Sequence, residues 1–207
     1  VGLTSTFTTS ASNGTITLND VDNTFTGAVA LNTNGSGGNA ALDNGTTALI
    51  IAQSSMGGDL TLTSGHASGI TDSGTVTVGG NFSATTNANN GDIDMETLAV
   101  TGTITLTTND DANNNTGHAT VVNTTQVALA ASSIDGNLAV TATTGNITQS
   151  GALTITGTSN LVTRANEATI ALDTTSNAFT GALTITTNDN FGADADVTID
   201  GGTTALI

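Results

Sequence analysis

The sequence repeats itself at two nested intervals. The segment TITLNDVDNTFTGAVAL at residues 15–31 returns as TIALDTTSNAFTGALTI at residues 169–185, an offset of about 154 residues. Half that offset also appears, since ITDSGTVTVGG at residues 70–80 returns as ITQSGALTITG at residues 147–157, about 77 residues later. A repeat of this kind cannot bury its own apolar face, so it must stack on its neighbours. We expect residues 1–207 to form one continuous segment of a longer tandem array, with a module of about 77 residues and a super-repeat of about 154 residues.

The apolar residues follow the period of a β-strand. Pairs such as Ile16/Leu18 and Leu60/Leu62 are separated by one residue and flanked by threonine, which places the pair inward and threonine outward. Asn-Gly dipeptides that tolerate a positive φ separate the strands, and they begin at residues 13, 34, 44 and 90. The pattern predicts an all-β fold, a parallel β-helix (β-solenoid) of about ten coils of about 19 residues. On that count one module fills about four coils.

Many short strands would also suit a β-sandwich, but a sandwich does not repeat its sequence at this interval. Its core normally takes large side chains, whereas the valine, isoleucine, leucine and alanine of this chain suit a narrow coil. Proline is absent, which fits strands whose every N–H donates to a neighbouring coil. We expect the phenylalanines to plug the interior or the corners, at positions Phe7, Phe25, Phe82, Phe179 and Phe191.

The charge balance excludes several classes of partner. The formal net charge is −16, and the single Lys or Arg is Arg164. Neutralising phosphates requires lysine and arginine, so neither nucleic acid nor an anionic membrane surface is expected as a partner. No apolar stretch is long enough for membrane insertion. A polar chain of this kind invites disorder, but 36% hydrophobic residues at regular positions argue for a folded protein.

Acidic pairs are the candidate ligands for a metal ion. Carboxylates two residues apart on a strand project to one side and can share Ca²⁺. On this basis the candidate calcium ligands are Asp92, Asp94, Asp194 and Asp196. The calcium-binding nonapeptide of β-rolls and the EF-hand loop are both missing, so we expect most acids to be solvated turn residues. No other cofactor is expected.

Catalytic residues are not expected. His66 and His118 lie in turn-like segments without partners at metal-ligand spacing, so we expect exposed turn residues. Polysaccharide-cleaving β-helices need aromatic platforms and a base beside cations, whereas this chain has no Trp, Tyr or Lys. Outward pairs such as Thr15/Thr17 recur too irregularly for an ice-binding face. The chain is therefore not expected to be an enzyme.

Three segments carry a resemblance to a known group of proteins. GNLAVTATTGNITQSGALTITG at residues 136–157, NAFTGALTI at residues 177–185 and DNGTTALI at residues 43–50 resemble the β-strand repeats of very large bacterial surface proteins. They are similar to the filamentous haemagglutinin group of exported adhesins. The resemblance implies a right-handed parallel β-helix, secretion to the cell surface and a role as a stalk, and it implies no catalytic residue.

The function expected from sequence is therefore structural. The chain would be a repetitive shaft of an exported bacterial adhesin or extracellular filament, with neighbouring repeats of the same chain as its first partners. One alternative is a protomer of a self-assembling filament or sheath, in which identical chains are the partners. Another is a surface solenoid that binds Ca²⁺, other cells or other surfaces.

Overall fold

The computed structural model describes residues 3–109, 116–188 and 195–207. Within these ranges the chain forms 23 β-strands and no helix, and the paired strands run parallel. The strands are β1 (Ser5–Ser12), β2 (Ile16–Leu18), β3 (Val29–Asn34), β4 (Ala40–Asp43), β5 (Leu49–Ile51), β6 (Ser54–Met56), β7 (Leu60–Ser64), β8 (Ile70–Asp72), β9 (Val76–Val78), β10 (Phe82–Asn89), β11 (Ile93–Val100), β12 (Thr103–Asn109), β13 (Ala119–Asn123), β14 (Val127–Leu129), β15 (Ser132–Ile134), β16 (Leu138–Ala142), β17 (Ile147–Gln149), β18 (Leu153–Ile155), β19 (Ser159–Asn166), β20 (Ile170–Leu172), β21 (Ala178–Phe179), β22 (Leu183–Asn188) and β23 (Val197–Ile199).

The chain winds between two sheets, one of 11 strands and one of 12. The first sheet begins with β1 and β3, and the second begins with β2 and β4, so the chain alternates between them. Leu60 pairs with Phe82 and Phe82 with Ile104, and each of these steps is one full turn. The predicted all-β parallel solenoid is confirmed, with about eight turns of about 22 residues.

The expected ten coils were slightly too many, and the expected coil was slightly too short. Corners take more residues than the apolar pairs suggest, and the largest step between paired strands runs from Ile170 to Val197. The longer turn changes the number of turns in each module. A module of about 77 residues fills three and a half turns rather than four. Successive copies of the module are therefore rotated by half a turn.

The half-turn rotation is visible in the strand types. In the first copy one side of each turn is a single undivided strand, and these strands, β4, β7 and β10, lie in the second sheet. The other side is divided into two short strands, and these divided pairs, β5/β6 and β8/β9, lie in the first sheet. In the second copy the undivided strands β13, β16 and β19 lie in the first sheet, and the divided pairs β14/β15 and β17/β18 lie in the second. The full super-repeat restores the phase, since β1 and β19 share a sheet.

Inward apolar side chains stack into columns along the axis. Leu60 lies between Ala40 and Phe82, and all three are buried. Full burial of a large apolar side chain such as that of Leu60 or Phe82 stabilises the fold by about 2 kcal/mol. Phe82 and Phe179 are buried as expected, while Phe7 and Phe25 are half-buried and contact edge to face at a centroid distance of 5.7 Å. The expectation for Phe191 lies outside the described residues.

The sharp turns repeat with the module. Asn13, Asn90 and Glu167 are spaced one module apart, and all have a positive φ, between 58° and 65°. Each donates its backbone N–H to a carbonyl of the adjacent turn, Asn90 to Asn109 and Glu167 to Asn188. The Asn-Gly dipeptides are turns as expected, with asparagine left-handed at residues 13 and 90 and glycine left-handed at residues 35 and 45. Glu167 thus occupies a conformation that asparagine tolerates and glutamate does not favour.

Replacing Glu167 by asparagine should therefore stabilise the protein. We expect Glu167→Asn to raise the free energy of unfolding by about 1 kcal/mol, because the strain of a left-handed glutamate is relieved. Urea unfolding followed by circular dichroism measures the change. Glu167→Gln removes the same charge but does not relieve the strain of the left-handed backbone conformation, so it should leave the free energy of unfolding nearly unchanged. Equal stabilisation by both variants would show that charge, not backbone conformation, matters at this turn.

Candidate functional site

One corner of the solenoid is built on a column of glycines. Gly58 donates its N–H to the carbonyl of Gly38 at 3.1 Å, and Gly80 donates to Gly58 at 2.9 Å. A Cβ on Gly80 would lie 2.2 Å from Oδ1 of Asp59, so a larger residue does not fit. The column continues to Gly102, and a second one forms in the next copy from Gly117, Gly136, Gly157 and Gly181. The backbones of successive turns are therefore in close contact at this corner.

The residue after each glycine supplies a side-chain acceptor to the next turn. Oδ1 of Asn39 accepts the N–H of Asp59 at 2.8 Å, and Oδ1 of Asp59 accepts the N–H of Asn81 at 2.7 Å. Oδ1 of Asn81 accepts both the N–H and the hydroxyl of Thr103. These side chains replace carbonyls where the strands have ended, so the hydrogen bonding along the axis continues through the corner.

His118 occupies the same line of acceptors in the second copy. Oδ1 of Asp92 accepts the N–H of His118 at 2.7 Å, and Nδ1 of His118 accepts the N–H of Asn137 at 2.9 Å. With Nδ1 used as an acceptor, Nε2 is the ring nitrogen of His118 that can donate. His66 accepts the N–H of Ser68 through Nδ1 in the same way. His66 lies in a bend and His118 directly precedes β13, and both are half-buried rather than exposed as expected.

The candidate calcium ligands are not gathered into one site by the described residues. Asp92 uses Oδ1 for the corner, Asp94 and Asp196 are exposed, and Asp194 lies outside the described residues. Within the ranges that the structure describes, no group of three or more His, Asp or Glu side chains is placed to hold a metal ion. Calcium binding stays a prediction.

Asp94 nevertheless lies in a distinct electrostatic environment. Asp94 is exposed as a residue, but its carboxyl is partly shielded from water by its neighbours. This partial desolvation, followed by the charges of Glu96, Asp72 and Asp92, raises the pKa of Asp94 above the ordinary value. Asp72 accepts the N–H of Thr97 at 2.8 Å and its hydroxyl at 2.7 Å, which holds that carboxylate beside the others. These four acids repel one another, so the negative form of Asp94 is disfavoured in the folded chain.

The raised pKa makes stability depend on pH. A carboxyl whose pKa is higher folded than unfolded binds protons more tightly in the native state, so stability rises as pH falls through the folded pKa. We expect Asp94→Asn to raise the melting temperature at pH 7, and the gain to shrink as the pH falls below the folded pKa of Asp94. Thermal scans from pH 7 to about pH 3, below the ordinary pKa of aspartate, measure this. The exposed Asp196→Asn provides the control, and a pH-independent gain at Asp94 would contradict the electrostatic account.

Buried asparagines brace the divided strands. Oδ1 of Asn44 accepts the N–H of Phe25 at 2.8 Å, and its Nδ2 donates to the carbonyls of Phe25, Thr47 and Ala48. In the next copy, Oδ1 of Asn123 accepts the N–H of Val100 at 2.8 Å and its Nδ2 donates to the carbonyl of Val100. Both side chains are fully buried. Such an amide therefore satisfies backbone groups that no strand reaches.

Buried serines act at the breaks between paired short strands. Ser54 accepts the N–H of Leu31 at 3.0 Å through Oγ and donates to the carbonyl of Ala52. Ser132 repeats the arrangement with the N–H of Leu106 and the carbonyl of Ala130, both at 3.0 Å. Ser159 differs, because its buried Oγ has no hydrogen-bond partner among the described residues.

The two kinds of buried serine should respond in opposite ways to the same change. Ser132→Ala leaves the N–H of Leu106 without its acceptor and should cost about 2 kcal/mol of stability. Ser159→Ala removes an unsatisfied hydroxyl and should be neutral or stabilising by about 1 kcal/mol. Chemical unfolding of both variants measures the difference. Equal losses would mean that packing, not hydrogen bonding, determines the effect.

Three shallow depressions lie on the surface formed by the described residues. One, of about 340 Å³, lies over the outer face of β2, β4 and β7 and is lined by Thr15, Thr17, Asn39, Asp59 and Thr61 among others. Two more, of about 350 and 320 Å³, are lined mainly by threonine, glycine, glutamine and aspartate. None of these three contains a histidine, lysine or arginine, so within the described part of the chain they offer no general base beside a cation. No helix formed by the described residues is long and apolar enough to cross a membrane.

Sequence reasoning missed the bracing role of the buried polar residues. Asn44 was interpreted as part of a turn, and Asn123 carried no expectation of burial. The available signal was their equivalence in the two copies, DNGTT at residues 43–47 and VNTTQ at residues 122–126. A polar residue that returns beside an apolar strand at the module spacing indicates an interior hydrogen-bonding position.

Comparison with known proteins identifies a repeat family. A search of curated proteins found no match, and neither did a search of solved structures. A family model described as "Repeats of unknown function (DUF5649)" matches residues 37–107 and 116–186, which together make up about two thirds of the chain. The second match begins about one module after the first, so each match covers one copy of the module. The two matched copies are the ones that are rotated by half a turn. The chain belongs to the family of Repeats of unknown function (DUF5649).

Proposed function

We propose that this chain is a structural shaft, a length of rod in an exported bacterial surface adhesin or extracellular filament. The observation that carries the proposal is that strands of the first family repeat pair directly with strands of the second. β11 of the first copy pairs with β13 of the second, and β12 pairs with β14, with the same parallel ladder used inside each copy. A module that joins its neighbour by continuing a sheet lengthens the rod without needing a new interface.

The pattern of hydrogen bonds between turns suits a protein that carries tension along the solenoid axis. The described turns are joined to one another by strands in both sheets, and within each copy a glycine column and its line of acceptors add hydrogen bonds at one corner. Pulling the ends apart would load many of these hydrogen bonds together. Side-chain braces such as Asn44 and Ser132 add bonds where the strands break. A spacer that holds a distant binding domain away from a cell needs this kind of stiffness.

The surface chemistry supports an extracellular setting. With a formal net charge of −16, parallel rods repel one another and stay dispersed. Arg164 is the only Lys or Arg of the chain and is exposed, so trypsin-like proteases have one place to cut. The resemblance to the repeats of filamentous-haemagglutinin-like adhesins points in the same direction, to secretion and display on the cell surface.

A second candidate is a protomer of a polymeric filament or sheath. It is favoured by the way in which the two copies join, because β11 pairs with β13 and β12 pairs with β14 through backbone hydrogen bonds. The same parallel pairing would join repeats that belong to different chains. In this case the shaft would be assembled from many chains instead of one.

Electron microscopy of the source cells, with an antibody raised against residues 1–207, tests the proposal. We expect thin stalks that are labelled along their length and end in an unlabelled tip. Antibody preabsorbed with the protein provides the control. Continuous filaments of uniform width, longer than any single chain, would favour the polymer. Label confined to the cell interior would contradict both candidates.

A further inference from the structure

Four asparagines of the chain are followed directly by glycine, and the fold holds one of them differently from the other three. They are Asn13, Asn34, Asn44 and Asn90. An Asn-Gly pair is prone to lose its side-chain amide without an enzyme, because glycine has no Cβ to hinder the approach of its own backbone nitrogen to the asparagine Cγ. The reaction requires that both groups can leave their hydrogen-bonding partners. The hydrogen bonds of each pair therefore determine whether it reacts in the folded chain.

Asn44 is bound at both reacting groups and lies in the interior. Its side chain is fully buried, Oδ1 accepts the N–H of Phe25 at 2.8 Å, and Nδ2 donates to main-chain carbonyls. The N–H of Gly45 donates to Oδ1 of Asp43 at 2.9 Å. This pair is therefore fixed by the fold and shielded from water.

Asn13 and Asn90 are bound at both reacting groups as well, although they lie in turns. Oδ1 of Asn13 accepts the N–H of Gly37 at 2.9 Å. Oδ1 of Asn90 accepts the hydroxyl of Thr116. The N–H of the following glycine donates to the carbonyl two residues before the asparagine, at 3.0 Å for residue 14 and at 3.3 Å for residue 91. Reaction at either pair therefore requires the turn to open first.

Asn34 is bound at neither reacting group by the residues that the structure describes. It is the last residue of β3 and is exposed. Within the described ranges its side chain makes no hydrogen bond, and the backbone N–H of Gly35 makes none. Gly35 has a φ of 82°, which glycine adopts without strain. An accessible Cγ is thus followed by a backbone nitrogen that need not break a hydrogen bond to attack it.

The repeat shows why the side chain of Asn34 is free. Asn109 and Asn188 take the equivalent position in later turns, since the backbone carbonyl of each also accepts the N–H of a left-handed residue in the turn before. Nδ2 of Asn109 donates to Oδ1 of Asn89 at 2.9 Å, and Nδ2 of Asn188 donates to a main-chain carbonyl at 2.8 Å. The residue that pairs with Asn34 in the register of Asn89 is Ser12, which has no amide oxygen to accept the bond.

We propose that Asn34 is a self-modification site, at which the folded chain converts this asparagine to aspartate and isoaspartate without an enzyme. The nitrogen of Gly35 gives its proton to water and attacks Cγ of Asn34, so that an N–Cγ bond forms. The Cγ–Nδ2 bond then breaks, and the amide leaves as ammonia after taking a proton back from water. A second water molecule opens the cyclic imide at either of its carbonyls, which gives aspartate or isoaspartate. Nothing is oxidised or reduced.

The isoaspartate product changes the main chain where β3 ends. The chain then runs through the former Cγ of Asn34, and its α-carbonyl becomes a free carboxylate. That carbonyl accepts the N–H of Asn13 at 2.7 Å, just beyond the pair formed by Ser12 and Asn34. Modification therefore adds a negative charge and a longer backbone to one corner of the solenoid, while the three bound asparagines keep their roles. The proposed shaft function is not needed for this reaction.

Mass spectrometry of the folded and the unfolded chain tests the proposal. The protein is incubated at mildly alkaline pH with and without guanidinium chloride and then digested, and conversion of an amide to an acid locates each modified residue. Each rate in the folded chain is divided by the rate of the same residue in denaturant. We expect this ratio to be about tenfold or more higher for residue 34 than for residues 13, 44 and 90, because the other pairs must open first. Similar ratios at all four residues, or a residue 34 as protected as the others, would overturn the proposal.

The matched variant Ser12→Asn supplies an acceptor without changing either reacting residue. It places beside Asn34 the amide that Asn89 offers to Asn109. We expect conversion of Asn34 in the folded variant to slow by about fivefold, with its rate in denaturant unchanged. Ser12→Ala offers no acceptor and should convert at the original rate, and thermal scans by circular dichroism show that both variants are folded. A folded Ser12→Asn chain that converts as fast as the original would show that the free side chain is not the cause, and the assignment would be overturned.

Discussion

The structure depends on one requirement, that every backbone amide finds its partner along the axis of the solenoid. Two parallel sheets meet most of it, since each turn of about 22 residues lies in register on the last. The corners and the breaks between short strands are where the requirement becomes difficult. There the backbone turns away from its neighbour, and an unpaired buried N–H would cost about 1–3 kcal/mol.

Side chains meet the requirement wherever the strands do not. Asparagine and aspartate extend the ladder past the glycine corner, while buried asparagine and serine accept the N–H groups opposite a strand break. This explains a composition rich in small polar residues and poor in long ones. The same interactions appear in both copies, but on opposite sheets, so they belong to the repeat and not to one side of the rod.

The sequence predicted those parts of the fold that depend on periodicity. Alternation at Leu60/Leu62 and Leu153/Ile155 is local, and the return of whole segments after one module and after two is visible without structure. The length of each turn could not be predicted from this periodicity, because it depends on how many residues form each corner. The error in that length is small, but it changes four whole turns into three and a half and so reverses the sheet on which each copy begins.

The candidate sites were less accessible to sequence reasoning, for a related reason. From sequence, His118 and Asp92 suggest metal ligands or turn residues. In the structure, their side chains accept hydrogen bonds from backbone N–H groups one turn away. A backbone N–H leaves no residue-specific signal. Only equivalence between copies reveals such a position, as it does for Asn44 and Asn123.

The half-turn rotation between copies has a mechanical consequence for the rod. A module with undivided strands on one side and divided strands on the other is asymmetric, and it bends if the two sides differ in spacing. The next module carries the same asymmetry facing the opposite way, so its bend has the opposite sense and the two cancel. In an array of such modules, a bend of this origin therefore averages out over each pair of copies, although no single module is symmetric.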